Sequence, residues 1–226
     1  MNVDRKGPTP GDAMQEAAGA KDYFDAAAVT WDDNPTRVEL AKAVAGAMLA
    51  AVPLTSRMAV MDFGCGTGLI TRELATKVAS ITAADTSVQM LAVLEAKAKA
   101  SGLDHVRTLV LENGYPQPSG VQFDAIVSSM VFHHIEDIPA LLARFAQWVR
   151  PGGWIAVADL EPEDGTFHRD GAHEVHHGID PVWLGSQIET VGFSVRSIRT
   201  VHTIRRQGEG ADRPKDYPVF LLVARC

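Results

Sequence analysis

The chain has 226 residues, a formal net charge of −7 and 46% hydrophobic residues. This length suits one α/β domain with a sizeable core, which we place at residues 21–226 after a disordered segment at residues 1–20 rich in Gly, Pro, Ala and charge. The acidic balance argues against a nucleic-acid partner, and no signal peptide or membrane-length apolar run is visible. Cys65 and Cys226 are not expected to pair, which makes a reducing cytoplasm the simplest compartment.

The first predicted elements are a helix and a buried strand. Asn34-Pro35 supplies an N-cap and a proline at the first helical position, which predicts a helix to about Val52. An apolar strand then enters D-x-G-x-G-x-G at residues 62–68, and a helical pattern follows directly, from Leu69 to Val78. Glycine permits positive φ and leaves no Cβ between backbone and ligand. We therefore expect a tight turn that presents backbone N–H groups to a bound ligand.

An acid closes the second predicted strand. The short apolar segment at residues 81–84 ends at Asp85, roughly 20 residues past the glycines, where a dinucleotide-binding fold holds ribose hydroxyls. A carboxylate accepts hydrogen bonds from two adjacent hydroxyls at once. The alternative is that Asp85 only caps the next helix, but Ser87 is itself an N-cap candidate and leaves Asp85 available for a ligand.

Later elements continue the alternation of strands and helices. A strand at residues 125–127 precedes His133-His134 and a helix from about Ile138, and Arg150-Pro151-Gly152-Gly153 leads into an apolar strand from Trp154. This alternation is typical of a parallel sheet with helices on both faces. The remaining predicted elements are a helix from Pro181 to about Val191 and two β-like runs, Phe193–Arg206 and Tyr217–Ala224, which suit an antiparallel hairpin at the sheet edge.

The D-x-G-x-G-x-G stretch resembles motif I of the class I S-adenosylmethionine (SAM) methyltransferases. It departs from the dinucleotide fingerprint G-x-G-x-x-G, which would need glycine at Leu69 or Thr71. The strand ending in Asp85, the strand before His133 and the Pro-Gly-Gly block follow in the family's order, over about Trp31 to Leu160. The resemblance implies a Rossmann-like, doubly wound, mainly parallel seven-stranded sheet with an antiparallel C-terminal hairpin and helices on both faces.

The resemblance also implies a reaction, in which a methyl group moves from SAM to an acceptor and S-adenosylhomocysteine (SAH) remains. Residues 128–131 lack the N/D-P-P-Y pattern of enzymes that methylate exocyclic or amide nitrogens, which favours a small-molecule acceptor, loosely as in quinone-biosynthesis methyltransferases. The accepting atom (O, C, N or S) and the oligomeric state stay open. The alternatives are a non-catalytic SAM- or partner-binding module of the same fold and a nicotinamide-dependent oxidoreductase.

The predicted cofactor-binding residues follow from this resemblance and from the strand ends. They are Asp62, Gly64, Cys65, Gly66, Thr67, Gly68, Asp85, Thr86, Met90, Glu112, Asn113, Ser128 and Ser129. We expect Cys65 to fill space in a tight turn and not to act as a nucleophile. His133 and His134 are candidate general bases for a hydroxyl or carbon acceptor. The alternative is that one of them packs against the loop or hydrogen-bonds it.

Two further groups of residues lie near the predicted site. The histidines of the polar segment after the fifth strand are His168, His173, His176 and His177. The spacing His173-x-x-His176 suits a metal, but no cysteine supports it; we expect no metal, and either a lid over the acceptor or a solvated loop. Tyr23-Phe24 and Trp31 are candidates to close the site, with core packing of Trp31 as the alternative.

Overall fold

The computed structural model describes residues 21–111, 122–168, 175–207 and 214–226. The segment predicted to be disordered, residues 1–20, lies outside these ranges, as do Glu112, Asn113 and His173. The single-domain organisation stays a prediction. Within the described ranges, every helix is too short or too polar to cross a bilayer.

Helices and strands alternate along the described chain. In order they are α1 (Pro35–Ala51), β1 (Ala59–Phe63), α2 (Leu69–Ala75), β2 (Ser80–Asp85), α3 (Val88–Ala100), β3 (Val106–Val110), β4 (Phe123–Ser129), α4 (Ile138–Trp148), β5 (Val149–Leu160), α5 (Pro181–Thr190), β6 (Ser194–Gln207) and β7 (Pro214–Arg225). Residues 21–27 are helical and continue into a 3₁₀ helix, Ala28–Asp33, and a second 3₁₀ turn, Phe132–His134, follows β4.

The strands described form one sheet in the order β3-β2-β1-β4-β5-β7-β6. Strands β1 to β5 pair in parallel, and β7 runs antiparallel to both of its neighbours. This confirms the predicted doubly wound sheet with its antiparallel C-terminal hairpin. Because the chain order reverses between β1 and β4, the crevice beyond the carboxyl ends of these two strands is where ligands of such sheets bind.

Local sequence explains where the helices begin. The Asn34 side chain accepts a hydrogen bond from the backbone N–H of Thr36 at 3.0 Å, and Pro35 occupies the first turn of α1. Ser87 caps α3 in the same way, since its hydroxyl accepts from the backbone N–H of Met90 at 3.1 Å. Helices α1, α4 and α5 begin at Pro35, Ile138 and Pro181, as predicted. Because Ser87 is the N-cap residue of α3, Asp85 is not.

Two predicted boundaries were wrong. Helix α2 ends at Ala75, three residues before the expected Val78. Strand β5 begins at Val149 instead of Trp154, because Val149 pairs with Phe123 and the register then shifts across a bulge. A Cβ on Gly153 would lie 2.8 Å from a carbonyl oxygen of β4, so the glycine lets the strand continue where the Pro-Gly-Gly block suggests only a turn.

The sheet separates two hydrophobic cores. One face packs against α1, α2 and α3 through residues such as Val60 and Val127, and the other packs against α4 and α5 through Met61 and Ile126. The alternation of Val60 and Met61 between the two cores follows the two-residue period of a strand. Helices thus cover both faces of the sheet and leave its carboxyl edge as the place for a site.

Candidate functional site

The glycine loop, residues 64–68, connects β1 to α2 at the carboxyl edge of the sheet. Most of its backbone N–H groups are used inside the protein. The bonds are Gly64 N to Ala84 O at 2.8 Å, Cys65 N to Ala84 O at 3.0 Å, Gly66 N to Asp85 Oδ2 at 2.8 Å and Gly68 N to Cys65 O at 2.9 Å. The expectation that the loop presents these groups to a ligand is wrong at these four residues, because the end of β2 and the loop itself supply nearer acceptors.

The three glycines of the loop all have positive φ but serve different purposes. A Cβ on Gly64 would lie 2.2 Å from Cγ2 of Val131, and one on Gly68 would lie 2.1 Å from Cδ1 of Leu94. Those two glycines allow close packing within the protein. At Gly66 no atom lies within 4 Å of the Cβ position, so the bare backbone there borders open space. This is the point of the loop that a ligand can approach closely.

Asp85 stands beside that open space. Its Oδ2 accepts from the backbone N–H of Gly66 at 2.8 Å, and its Oδ1 accepts from the backbone N–H of Ser87 at 2.9 Å. Burial raises the pKa of Asp85, and these backbone hydrogen bonds act against that rise. Each carboxylate oxygen has a second lone pair, so the group can accept from ligand hydroxyls while it holds the loop.

A second acid supports the loop from below. Asp62 is 1% exposed and accepts a hydrogen bond from the Thr71 hydroxyl at 2.5 Å, which ties β1 to α2. Burial raises its pKa to about 7, with the nearby negative charge of Asp85 adding to the effect. Cys65 is also buried, and burial followed by the charge of Asp85 raises the pKa of its thiol well above the usual range. The sulfur is therefore a space-filling thiol in this structure.

The N-terminal segment, residues 21–33, crosses the same edge of the sheet and is held there by two aspartates. Asp25 accepts from the Ser87 hydroxyl at 2.5 Å, two residues past Asp85. Asp32 accepts from the hydroxyl of Thr67 in the glycine loop at 2.5 Å, and its other oxygen bonds the ammonium of Lys97. The segment is thus joined both to the glycine loop and to the residue that caps α3.

Aromatic contacts extend the segment toward the end of β4. The ring of Phe24 lies 5.4 Å from Tyr23, 5.7 Å from Trp31 and 5.5 Å from His134. Trp31 is half-buried and also stacks with the Arg37 guanidinium, 3.7 Å from the ring centroid. The N-terminal segment therefore contacts both the glycine loop, through Asp32, and His134 in the 3₁₀ turn after β4, through Phe24.

The end of β4 brings the chain over the glycine loop. Ser128 is buried and donates its hydroxyl to the carbonyl of Phe63 at 2.9 Å, which joins β4 to β1. Met130 has a φ of 59°, a left-handed conformation that side chains rarely adopt, and its N–H donates to the carbonyl of Ala158. The strained turn at Met130 directs Val131 against Gly64 and starts the 3₁₀ turn that carries the histidines.

His133 is buried and locked by an acid from β5. Its Nδ1 lies 2.5 Å from Oδ1 of Asp159, whose Oδ2 also accepts from the backbone N–H of Phe132 at 2.8 Å. Burial by itself would raise the pKa of Asp159, but the charge and hydrogen bond of His133 outweigh it and the pKa is lowered. Asp159, fully buried, therefore fixes both the 3₁₀ turn and the orientation of the ring.

A third histidine meets His133 from the segment after β5. Nε2 of His168 lies 3.0 Å from Nε2 of His133, and the His134 ring centroid lies 5.2 Å from that of His168. Burial lowers the pKa of His168 to about 3, with the nearby His133, His134 and Arg206 adding to the effect. Sequence reasoning considered His133 and His168 separately and missed their convergence, because they lie 35 residues apart in the chain.

The other predicted site residues are more scattered. Thr86 is exposed and Ser129 is half-buried, whereas Met90, in the first turn of α3, is buried. Nε2 of His176 lies 2.9 Å from the carbonyl oxygen of Ile135, so that ring braces the 3₁₀ turn. The predicted pairing of His176 with His173 lies partly outside the described residues.

Part of the chain is similar to known methyltransferases. Residues 61–155 match the family model described as a methyltransferase domain. An uncharacterized methyltransferase of Schizosaccharomyces pombe is 32% identical over 120 residues, covering 50% of this chain and 42% of that protein. A ubiquinone biosynthesis O-methyltransferase of Rhizobium johnstonii is 30% identical over 157 residues, covering 63% of each. The chain thus spans less than two thirds of the length of these relatives.

A solved structure of similar fold contains the product of the predicted reaction. The DhpI–SAH complex superposes with a TM-score of 0.66 at 22% sequence identity, covering 91% of this chain and 95% of that one. At this identity the match shows the fold alone.

Proposed function

We propose that the chain is a class I SAM-dependent methyltransferase that transfers a methyl group from SAM to a small-molecule acceptor. The match of residues 61–155 to the methyltransferase family model and the similarity to a ubiquinone biosynthesis O-methyltransferase support this proposal, and the SAH complex of similar fold agrees with it. The observation that carries the proposal is the open space over Gly66, beside Asp85 and at the point where the strand order reverses. A bare backbone next to a half-buried carboxylate fits a ligand that carries ribose hydroxyls.

The chain's own residues would hold the cofactor in three ways. Asp85 would accept hydrogen bonds from the ribose hydroxyls, and Gly66 would allow close approach to the backbone. Asp25 and Asp32 would bring the N-terminal segment across the bound molecule. When bound, SAM supplies a methyl group on a positively charged sulfonium, for which an edge rich in carboxylates is electrostatically suitable.

Positioning is the main contribution that we assign to the protein. Alignment of two reactants in a bound geometry can supply roughly 7–11 kcal/mol of the activation barrier. The aromatic contacts of Phe24 join the cofactor side to the histidine side, which would shield the reacting atoms from water. His133 has both ring nitrogens engaged, by Asp159 and by His168, so its assignment as a free general base stays a prediction.

The acceptor class follows from weaker observations. The net charge of −7 does not suit the backbone of a nucleic acid. The Rhizobium relative is named for O-methylation in ubiquinone biosynthesis, which favours a hydroxyl on a small organic molecule. These two observations support a small-molecule acceptor over a macromolecule.

Calorimetry and a labelling assay test the proposal in sequence. Purified protein should bind SAH with micromolar affinity and show no binding of NADH. Incubation with methyl-labelled SAM and a fractionated metabolite extract should place the label in a low-molecular-mass fraction. Failure to bind SAH would overturn the proposal, and binding without label transfer to any fraction would favour a non-catalytic SAM-binding module.

A further inference from the structure

Three histidines converge where β4 and β5 end: His133, His134 and His168. One ring nitrogen from each lies within 4.8 Å of the other two, and Nε2 of His133 is 3.0 Å from Nε2 of His168. Two nitrogens that ligate one tetrahedral zinc ion, with bonds of about 2.0–2.1 Å, lie about 3.3 Å apart. A small movement of the rings would therefore admit an ion between them.

His133 is arranged as metal-ligating histidines usually are. Asp159 is fully buried and lies 2.5 Å from Nδ1 of His133, which places the proton of a neutral ring on that nitrogen. The lone pair of Nε2 then points toward His168. In metal sites a carboxylate in this position fixes the ring and increases its basicity as a ligand.

The turn that precedes His168 is also held in place by hydrogen bonds. The Glu163 carboxylate accepts from the backbone N–H groups of Gly165, Thr166 and Phe167, which shapes the turn just before His168. The Arg206 guanidinium lies 4.0 Å from the centroid of the Phe167 ring and donates to its carbonyl oxygen. Such a framework holds the His168 ring in place before any ligand arrives.

We infer that His133, His134 and His168 bind a zinc ion, with Asp159 as a positioning residue. Imidazole nitrogen suits zinc and the neighbouring transition metals, whereas magnesium and calcium prefer oxygen ligands. The sequence predicts no metal, on the spacing of the histidines that follow β5; the set inferred here instead joins one of them, His168, to His133 and His134 of the 3₁₀ turn. A hydrogen bond between two neutral imidazoles gives the same 3.0 Å separation, and the experiments below distinguish the two arrangements.

Three protein ligands leave one tetrahedral position for an exchangeable group, as in catalytic zinc sites. The cluster begins two residues after Val131, which packs against Gly64 of the glycine loop, so it lies on the acceptor side of the proposed cofactor site. This step rests on the proposed function: an acceptor hydroxyl or thiol bound there loses its proton to solvent. Its lone pair then forms the bond to the methyl carbon as the carbon–sulfur bond breaks and its electrons return to sulfur.

The first experiment uses the unmodified protein. After chelator treatment and dialysis, titration with Zn²⁺ against a chromophoric chelator should show one tightly bound equivalent per chain. Histidine ¹⁵N NMR should show three rings that change on Zn²⁺ addition. Less than about a tenth of an equivalent bound, or no change in the ring nitrogens, would overturn the inference in favour of a hydrogen-bonded cluster.

Variants then assign the ligands. His168→Gln should weaken Zn²⁺ binding by about 100-fold, and Asp159→Asn by about 10- to 100-fold, the usual cost of losing a carboxylate partner. His202→Gln, at a half-buried position on β6 outside the cluster, is the matched control and should bind Zn²⁺ as the unmodified protein does. Equal affinity in His168→Gln would contradict the assignment, and circular dichroism of each variant checks that it folds.

A third measurement tests the open position independently of catalysis. The visible spectrum of the Co²⁺-substituted protein should change when 2-mercaptoethanol is added, because a thiolate would enter the fourth position. An unchanged spectrum would overturn the acceptor-binding step. SAH binding is measured separately, so metal binding without SAH binding would count only against the proposed function, and SAH binding without metal binding only against this inference.

Discussion

The two sides of the candidate site are built from different ranges of sequence. The proposed cofactor side consists of the glycine loop and Asp85, which lie within a stretch of 24 residues, 62 to 85, and are joined by the bond from Gly66 to Asp85. The histidine side depends on contacts between residues 26 and 35 positions apart, His133 with Asp159 and His133 with His168. Short motifs therefore identify the first side, and only the folded chain brings the second together.

The region that matches the methyltransferase family model includes one of these two sides and only part of the other. The matched region, residues 61–155, contains the whole cofactor side but ends before Asp159 and His168. Fold-level likeness is therefore informative about the cofactor and carries less information about the acceptor, as is common when one fold serves many reactions. The following predictions test this division, beginning with the largest expected effect.

Gly66→Val should abolish measurable SAH binding, with a loss of at least about 100-fold, because φ is 53° and a branched side chain would enter the open space. Calorimetry measures the affinity. The matched control is Gly102→Val, at a glycine with φ of 65° and no atom near its Cβ position, but in the turn after α3. Both variants carry similar backbone strain, so normal binding in both would contradict the placement of the cofactor.

Asp62→Asn tests whether this acid supports the loop from below without touching the ligand. Since burial raises its folded pKa from 3.8 to about 7, the stability that Asp62 contributes is fully present below pH 4 and is lost as pH rises to about 7. The variant should lose this dependence, so that between pH 4 and pH 8 its free energy of unfolding rises by about 4 kcal/mol relative to that of the unmodified protein.

Urea unfolding of ligand-free protein at pH 4, 5.5 and 8 measures this difference. Asp104→Asn, at an exposed position, is the control and should follow the unmodified protein at each pH. The prediction fails if Asp62→Asn and the control have the same pH dependence, which would mean that the Asp62 carboxyl titrates at the same pH in the folded and the unfolded protein.

Asp85→Ala should weaken SAH binding by about 1–3 kcal/mol, the cost of removing hydrogen bonds to a charged group. Because Asp85 also holds Gly66 and Ser87, Asp85→Asn is the informative companion: it keeps one acceptor oxygen and removes the charge. We expect an intermediate affinity for it in calorimetry. Unchanged affinity in both variants would exclude a ribose contact by Asp85.

How far sequence reasoning reached depends on the range of the interactions. The N-caps Asn34 and Ser87 act within three residues, and the sequence was sufficient to locate them. The bulge that starts β5 at Val149 arises from pairing with β4 and could not be located from local pattern alone. The same holds for the N–H groups of Gly64, Cys65 and Gly66, whose acceptors belong to the next strand, β2.

The histidines show the same limit more clearly. The local spacing His173-x-x-His176 suits a metal site, yet Nε2 of His176 is hydrogen-bonded to the carbonyl oxygen of Ile135. The partners of His133 come from β5 and from the segment after it, and no periodicity in the sequence relates them. The buried Asp159 at the end of an apolar strand was the one signal that could have pointed to them.

The smallest expected effect concerns the N-terminal segment that links the two sides. Asp32 joins Thr67 of the glycine loop to Lys97 of α3, and the ion pair is only partly buried, with side-chain exposures of 22% for Lys97 and 31% for Asp32. A partly exposed charged contact contributes up to about 1 kcal/mol, so Asp32→Asn should speed SAH dissociation by about two- to fivefold.

Surface plasmon resonance measures the dissociation rate, and the exposed neighbour variant Asp33→Asn should leave it unchanged. Faster dissociation in Asp32→Asn with Zn²⁺ affinity unaltered would show that the segment closes over the cofactor side alone; equal rates in the two variants would mean that its contacts do not restrain the ligand.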